Sequence, residues 1–331
     1  MRLRHRLSIP AVAVVLALAA GAPVRAAGAD EALALVPPDV ASIGVIHLDA
    51  LRSSPFAARL FSETDDLAVD GDAAKFLAET GLRPRQDVDT VVVAGLSSNR
   101  LHGPEDGLVI FQGRFDPSRL ENAMEARGAI RKSTPQGDYL LLSDAHGEDN
   151  RAAIAVLSPR LVVAGSPESV TRALSARQSG GSGFLRGEGL GRQVYRVPSG
   201  ASAWAIVDAT RTPFAGGARR SEDGDAADAL VGAMKSVSLF VFHATTHGDS
   251  LELSATGISA DAETRDLLED ALKGVIAMWR LAIHERSPEM VPILRRFEIE
   301  SDREGVTIHG TLPGSFLRKM AEEHEAHRRI N

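Results

Sequence analysis

Short apolar runs bounded by Gly, Pro, Asp and Ser recur along the chain. This is the pattern of β-strands joined by turns. In the first part the predicted strands are Ile43 to Leu48, Val91 to Ala94, Leu108 to Gln112, Tyr139 to Leu142, Ala152 to Val156 and Leu161 to Ala164. In the second they are Ala203 to Val207, Val237 to His243, Leu251 to Thr256, Phe297 to Ser301 and Val306 to Thr311. Helices are predicted at Ser54-Pro55, Asp116-Pro117 and Ser166-Pro167-Glu168. Each pair supplies a capping side chain and a proline ring whose φ suits the first helical position. Gly81 and Pro84 end the helical region before the Val91 strand. From about Asp261 to His284, Leu268, Leu272, Val275, Trp279 and Ile283 recur at helical spacing. A last helix is predicted after Pro313-Gly314.

The two groups of strands differ in polarity. In the second, Leu251, Leu253 and Ala255 interleave with Glu252, Ser254 and Thr256. Phe297 and Ile299 interleave with Glu298 and Glu300, and Val306 and Ile308 with Thr307 and His309. Such alternation puts one face on helices and leaves the other to water or a polar partner. Glu252, Glu298, Glu300 and His309 lie on that exposed side and are the candidate binding face. In the first group, Val91-Val92-Val93, Leu108 to Phe111 and Leu161-Val162-Val163 are apolar at every position. That sheet is expected to be covered on both sides.

The second part also echoes the first. Ala41-Ser42 leads through a strand to Asp49-Ala50, Arg52, Ser54 and Pro55-Phe56-Ala57. Ala201-Ser202 leads through a strand to Asp208-Ala209, Arg211, Thr212 and Pro213-Phe214-Ala215. Asp70-Gly71-Asp72-Ala73-Ala74 recurs as Asp223-Gly224-Asp225-Ala226-Ala227. Between the parts, residues 180–191 hold six glycines, a stretch with little to bury and much backbone entropy to lose. The expectation is an α+β protein of two related halves in tandem duplication. Each half would be a mainly antiparallel sheet with helices around a ferredoxin-like β-α-β-β-α-β core. The expected boundaries are a first half over 27–179, a Gly-rich linker or loop over 180–199 and a second half over 200–331.

The first residues read as an address. Arg2, Arg4, His5 and Arg6 form a positive region, and Ile9 to Ala20 an apolar stretch too short to span a bilayer comfortably. Val24-Arg25-Ala26 then offers a cleavage site, so residues 1–26 are expected to be a secretory signal peptide. Arg2, Arg4 and Arg6 alternate with other residues, which argues for a general rather than a twin-arginine route. Removing Arg2, Arg4, Arg6 and Arg25 takes the formal charge from −7 to −11. An acidic exported chain has no electrostatic reason to bind nucleic acid or anionic lipid. No later segment is apolar enough for a transmembrane span, so the mature chain is expected to be soluble, in the periplasm or outside the cell. Cysteine is absent, which excludes disulfides, thiolate metal sites and a lipidated cysteine.

No motif for catalysis, metal or cofactor emerges. The repeated Asp-Gly-Asp runs into Ala-rich helical sequence, so Asp72 and Asp225 read as capping or first-turn acids rather than calcium ligands. His243 ends a strand and His247 precedes a turn glycine, so their spacing of four does not converge as it would on a helix. His324-Glu325-Ala326-His327 is one residue short of the zinc-protease pattern and sits in a charged tail. Gly187, Gly189 and Gly191 lack the strand-turn-helix setting of a dinucleotide loop. Neither Gly-x-Ser-x-Gly nor Ser-x-x-Lys occurs.

Val36-Pro37-Pro38-Asp39 through Leu48 to Pro55, with Gly113-Arg114-Phe115-Asp116 and Leu161 to Gly165, resembles a group of exported bacterial proteins without an established activity. The resemblance implies export and a duplicated α+β fold, with no catalytic residue or cofactor to carry over. The leading expectation is therefore an exported, soluble, non-enzymatic binding or assembly protein whose partner is an envelope protein or ligand. A hydrolase or other enzyme with its site between the halves, and a carrier of an apolar ligand, are the alternatives. Protein isolated from its native envelope should begin at Ala27 on N-terminal sequencing, and a mature chain that retains Met1 would overturn the cleavage reading.

Overall fold

A computed structural model describes residues 30–52, 72–96, 107–142, 152–181, 183–212, 236–286 and 291–316, with backbone alone for 72–73 and 278–286. The expected signal segment, the Ser54-Pro55 helix start, the copies at Pro213 to Ala215 and Asp223 to Ala227, the Trp279 and Ile283 side chains and the His324/His327 tail lie outside those residues. Among the described residues, no helix is long and apolar enough to cross a membrane.

The chain is α+β and its strands form one antiparallel sheet. The first strands are β1 (Val40–His47), β2 (Val88–Leu96), β3 (Gly107–Gly113), β4 (Ile130–Thr134), β5 (Gly137–Leu142), β6 (Ala152–Ser158) and β7 (Leu161–Gly165). They are followed by β8 (Ala203–Asp208), β9 (Leu239–His247), β10 (Ser250–Ile258), β11 (Glu298–Ser301) and β12 (Gly305–Pro313). Their order across the sheet is β11-β12-β10-β9-β8-β1-β2-β3-β7-β6-β5-β4. The helices are α1 (Asp30–Leu33), α2 (Leu48–Arg52), α3 (Asp72–Thr80), α4 (Pro84–Asp87), α5 (Pro117–Glu125), α6 (Pro167–Gln178), α7 (Ala262–Arg286) and α8 (Val291–Leu294). A 3₁₀ helix spans Gly189–Arg196.

Local chemistry explains the helix ends. The Asp116 side chain accepts the Arg119 N–H at 3.1 Å, and Ser166 accepts that of Ser169 at 3.1 Å, each with Pro next in the chain. Helix α3 is described from Asp72 onward. It stops before Gly81, which takes φ +68° as a helix-terminating residue. Pro84 does not end that region; it is the first residue of α4.

Three features differ from the sequence expectation. First, the described strands do not form two sheets. β1 and β8 pair antiparallel, Ser42 to Ile46 against Val207 to Ala203, and join all strands into one sheet. Second, every described pairing is antiparallel, and β1 lies between β2 and β8, so the strand order is not that of a ferredoxin-like sheet. Third, β4 has no apolar alternation: four of its five residues are exposed. It exists because it closes a hairpin with β5 through Pro135 to Gly137. Arg131 and Lys132 give this outermost strand charge of the kind that discourages further pairing.

Register assigns side chains to faces, because directly paired residues point the same way. On the front face, Ile43, Val45, Val92, Ala94, Leu108, Ile110 and Val163 are all at most 2 % exposed. They pack with Ala32, Leu33, Leu35 and Val36 at the start of the chain, Val170, Ala173 and Leu174 of α6, and Phe184 and Leu190. On the back face, Leu268 of α7 packs with Phe240 and Val306. Leu120 and Met124 of α5 pack with Leu140 on the same side. In between, Val91, Val93, Val109 and Phe111 on the back are only half-buried, so the strands expected to be covered on both sides are fully buried on one.

The glycine-rich stretch is a packed segment of the front layer, not a loose linker. Phe184 is 1 % exposed and Leu190 is 6 % exposed. Val194 and Val197 pack against the same core. Gly189 serves close approach: it has φ +54°, and a Cβ there would run into the Pro38 carbonyl. Composition misleads because two well-spaced apolar side chains anchor a segment that is otherwise small and polar. Leu190→Ala should lower the free energy of unfolding by about 2–5 kcal/mol in chemical denaturation. A change within about 0.5 kcal/mol would mean the segment is loose.

Candidate functional site

One register row shows how the sheet changes character. It runs Glu298, His309, Ser254, His243, Trp204, Val45, Val92, Ile110 and Val163 across nine strands of the front face. The first four side chains are polar; from Trp204 onward the row is buried. A parallel row runs Glu300, Thr307, Thr256, Val241, Ile206 and Ile43, with the same change at Val241. The front cover of α1, α6 and the 3₁₀ helix thus serves the apolar strands. Over β10, β11 and β12 the face is polar apart from Ile258, which packs on the front core, and Glu252, Glu298 and Glu300 are exposed. Arg196, at the end of the 3₁₀ helix, marks the margin through an ion pair with Glu304 at 2.6 Å.

The four candidate residues share this face but fall into two groups. Glu298 and His309 are direct cross-strand partners, with Oε2 3.5 Å from Nε2. Glu300 follows two residues after Glu298, and the ligand atoms of these three all lie within 4.8 Å of one another. Glu252 stands on β10 opposite Thr311, and its carboxylate is 3.1 Å from His247 Nε2. His247, set aside at the sequence level for its spacing from His243, is therefore the partner of Glu252. Thr256 and Thr307, in the register row of Glu300, share a hydrogen bond of 2.9 Å.

His243 joins the face as well, and the strand register, not its spacing from His247, reveals this. Burial lowers its proton affinity below the ordinary histidine value, and the nearby Glu252 charge opposes that shift. His47 is lowered in the same way, by burial first, with Asp49 opposing. His47 Nδ1 lies 3.5 Å from Thr90 Oγ1, and Gln112 is next in register. Two grooves occur elsewhere among the described residues. One of about 630 Å³ is lined by Arg131, Tyr139, Ile154, Val156 and Arg177. One of about 420 Å³ is lined by Thr80, Arg114, Asp116, Arg119 and Arg160. Neither His47 nor His243 lines either groove.

No protein-family model and no curated protein matches the chain. Solved structures of TP0453, a treponemal protein, are similar in outline. Crystal form III covers 88 % of this chain and 97 % of its own at 9 % identity, with a TM-score of 0.46. Crystal form I covers 92 % and 98 % at 9 % identity, with a TM-score of 0.43. At those values the likeness carries no argument about chemistry.

The lowered histidines have a defined effect on stability. Below the ordinary value of 6.5 the unfolded chain binds protons that folded His243 resists. The associated stability is complete above that pH and is lost as pH falls through the depressed value. Unfolding free energy should therefore decline on acidification from pH 7, and His243→Gln should flatten the decline. An NMR titration placing His243 at or above 6.5 would contradict it.

Proposed function

We propose that the protein is an exported, non-enzymatic binding or assembly protein of the bacterial cell envelope, and that the polar front face of β10–β12 is its contact surface. One observation carries this reading: a single sheet face is closed by helices over its apolar strands and is polar over the rest, with exposed glutamates among half-buried Ser, Thr and His. An exposed sheet face of alternating Glu, Ser, Thr and His offers hydrogen-bonding groups at the regular spacing of strands. The back of the same strands is held by Leu268, Leu251 and Val306, so the surface rests on a firm core.

The tandem duplication belongs to the same proposal. β1 and β8 are neighbours at mid-sheet, and the order outward is β2-β3-β7 on one side and β9-β10-β12 on the other. Two related units side by side account for that order and for the sequence echo. The export segment supplies the location.

The full chain, tagged and recovered from its native envelope after cross-linking, should bring down a specific protein partner detectable by mass spectrometry. Glu252→Lys combined with Thr256→Arg should abolish that capture while leaving the thermal transition in place. Recovery of an unpartnered, ligand-free monomer would overturn the proposal, and a bound lipid in place of a protein would support the carrier alternative.

A further inference from the structure

Among the described residues, the β11 edge of the sheet gathers three groups of metal-ligating chemistry. β11 is the outermost strand, and strand alternation puts Glu298 and Glu300 on its front side with Ile299 turned to the back core. β12 brings His309 alongside Glu298. An ion bound tetrahedrally with bonds of about 2.0–2.1 Å holds its ligand atoms about 3.4 Å apart. Glu298 Oε2 and His309 Nε2 already stand at 3.5 Å. A carboxylate oxygen of Glu300 lies within 4.8 Å of both.

The charge around these groups favours a cation. Several other acids are held by arginines: Arg131 pairs with Glu121 and Glu125, Arg196 with Glu304 and Arg52 with Asp89. Among the described residues neither Glu298 nor Glu300 has a Lys or Arg partner, and the two carboxylates sit side by side. The fixed point is the imidazole: His309 is on the inner strand and its side chain is 32 % exposed, against 70 % for Glu298. One imidazole with two carboxylates suits a divalent transition ion better than calcium or magnesium, which prefer oxygen alone.

We propose that Glu298, Glu300 and His309 form a binding site for a divalent transition-metal ion such as Zn²⁺. Three protein ligands leave at least one coordination position for water or for a donor group of a bound partner. The site does not depend on the envelope-partner reading, because it is a property of the isolated chain.

Calorimetric titration of the purified, metal-stripped full chain with Zn²⁺ tests it. One ion per chain is expected, with Ca²⁺ and Mg²⁺ failing to compete at equal concentration. His309→Ala and the double change Glu298→Gln/Glu300→Gln should each weaken binding by more than about tenfold. Glu252→Gln/His247→Ala and His324→Ala/His327→Ala should leave it unchanged. A second readout guards against misfolding. Zn²⁺ should raise the thermal midpoint of the wild type. It should leave that of His309→Ala unmoved, while the zinc-free midpoints of the two coincide. Absence of saturable binding, binding indifferent to the three ligands, or binding lost with the tail histidines would each overturn the proposal.

Discussion

The pairing of β1 with β8 is the contact on which the rest of the architecture depends. It runs from Ser42↔Val207 to Ile46↔Ala203 and makes one sheet of strands that would otherwise form two. Without it, Ile43, Val45, Trp204 and Ile206 would sit on exposed edges instead of in the front core. The 3₁₀ helix Gly189–Arg196 packs against both β1 and β8, so the segment leading into β8 also covers their pairing. Backbone hydrogen bonds and front-layer burial reinforce each other there, and the continuous register rows follow.

A sheet of this width needs cover, and the helices provide it unevenly. α1, α6 and the 3₁₀ helix close the front of the early strands, while α5 and α7 close parts of the back. This division gives each strand group a buried face without burying both. It places the polar residues of β10–β12 outward and keeps His243 at the boundary, where partial burial suppresses its charge. Phe242 faces the back beside Phe240, with ring centroids 6.0 Å apart, and remains 36 % exposed, in keeping with the incomplete cover there.

Much of this was legible wherever local chemistry decides. Asp116-Pro117 and Ser166-Pro167 announced their helices because capping is a short-range interaction. Leu251 to Thr256 announced an amphipathic strand because alternation is local too. The face carrying Glu252, Glu298, Glu300 and His309 followed from the same alternation. What escaped depends on partners distant in sequence. β4 is held by its hairpin and carries no apolar signal. Leu190 anchors a stretch whose glycines suggested slackness. The closeness of Glu298 to His309, and of Glu252 to His247, is a matter of register, which alternation alone does not define. A reading that had closed the hairpin between Ser301 and Gly305 would have brought Glu298 and His309 together.

The one-sided burial of β10–β12 separates two demands usually made on the same residues. Leu251, Val306 and Leu312 hold these strands from behind, so the exposed glutamates in front contribute little to the burial that holds the strands. Such a face can exchange one set of polar groups for another over evolutionary time without passing through unstable intermediates. Proteins built on this frame could therefore share a skeleton while differing in the polar groups of this face, and sequence identity would fade fastest there.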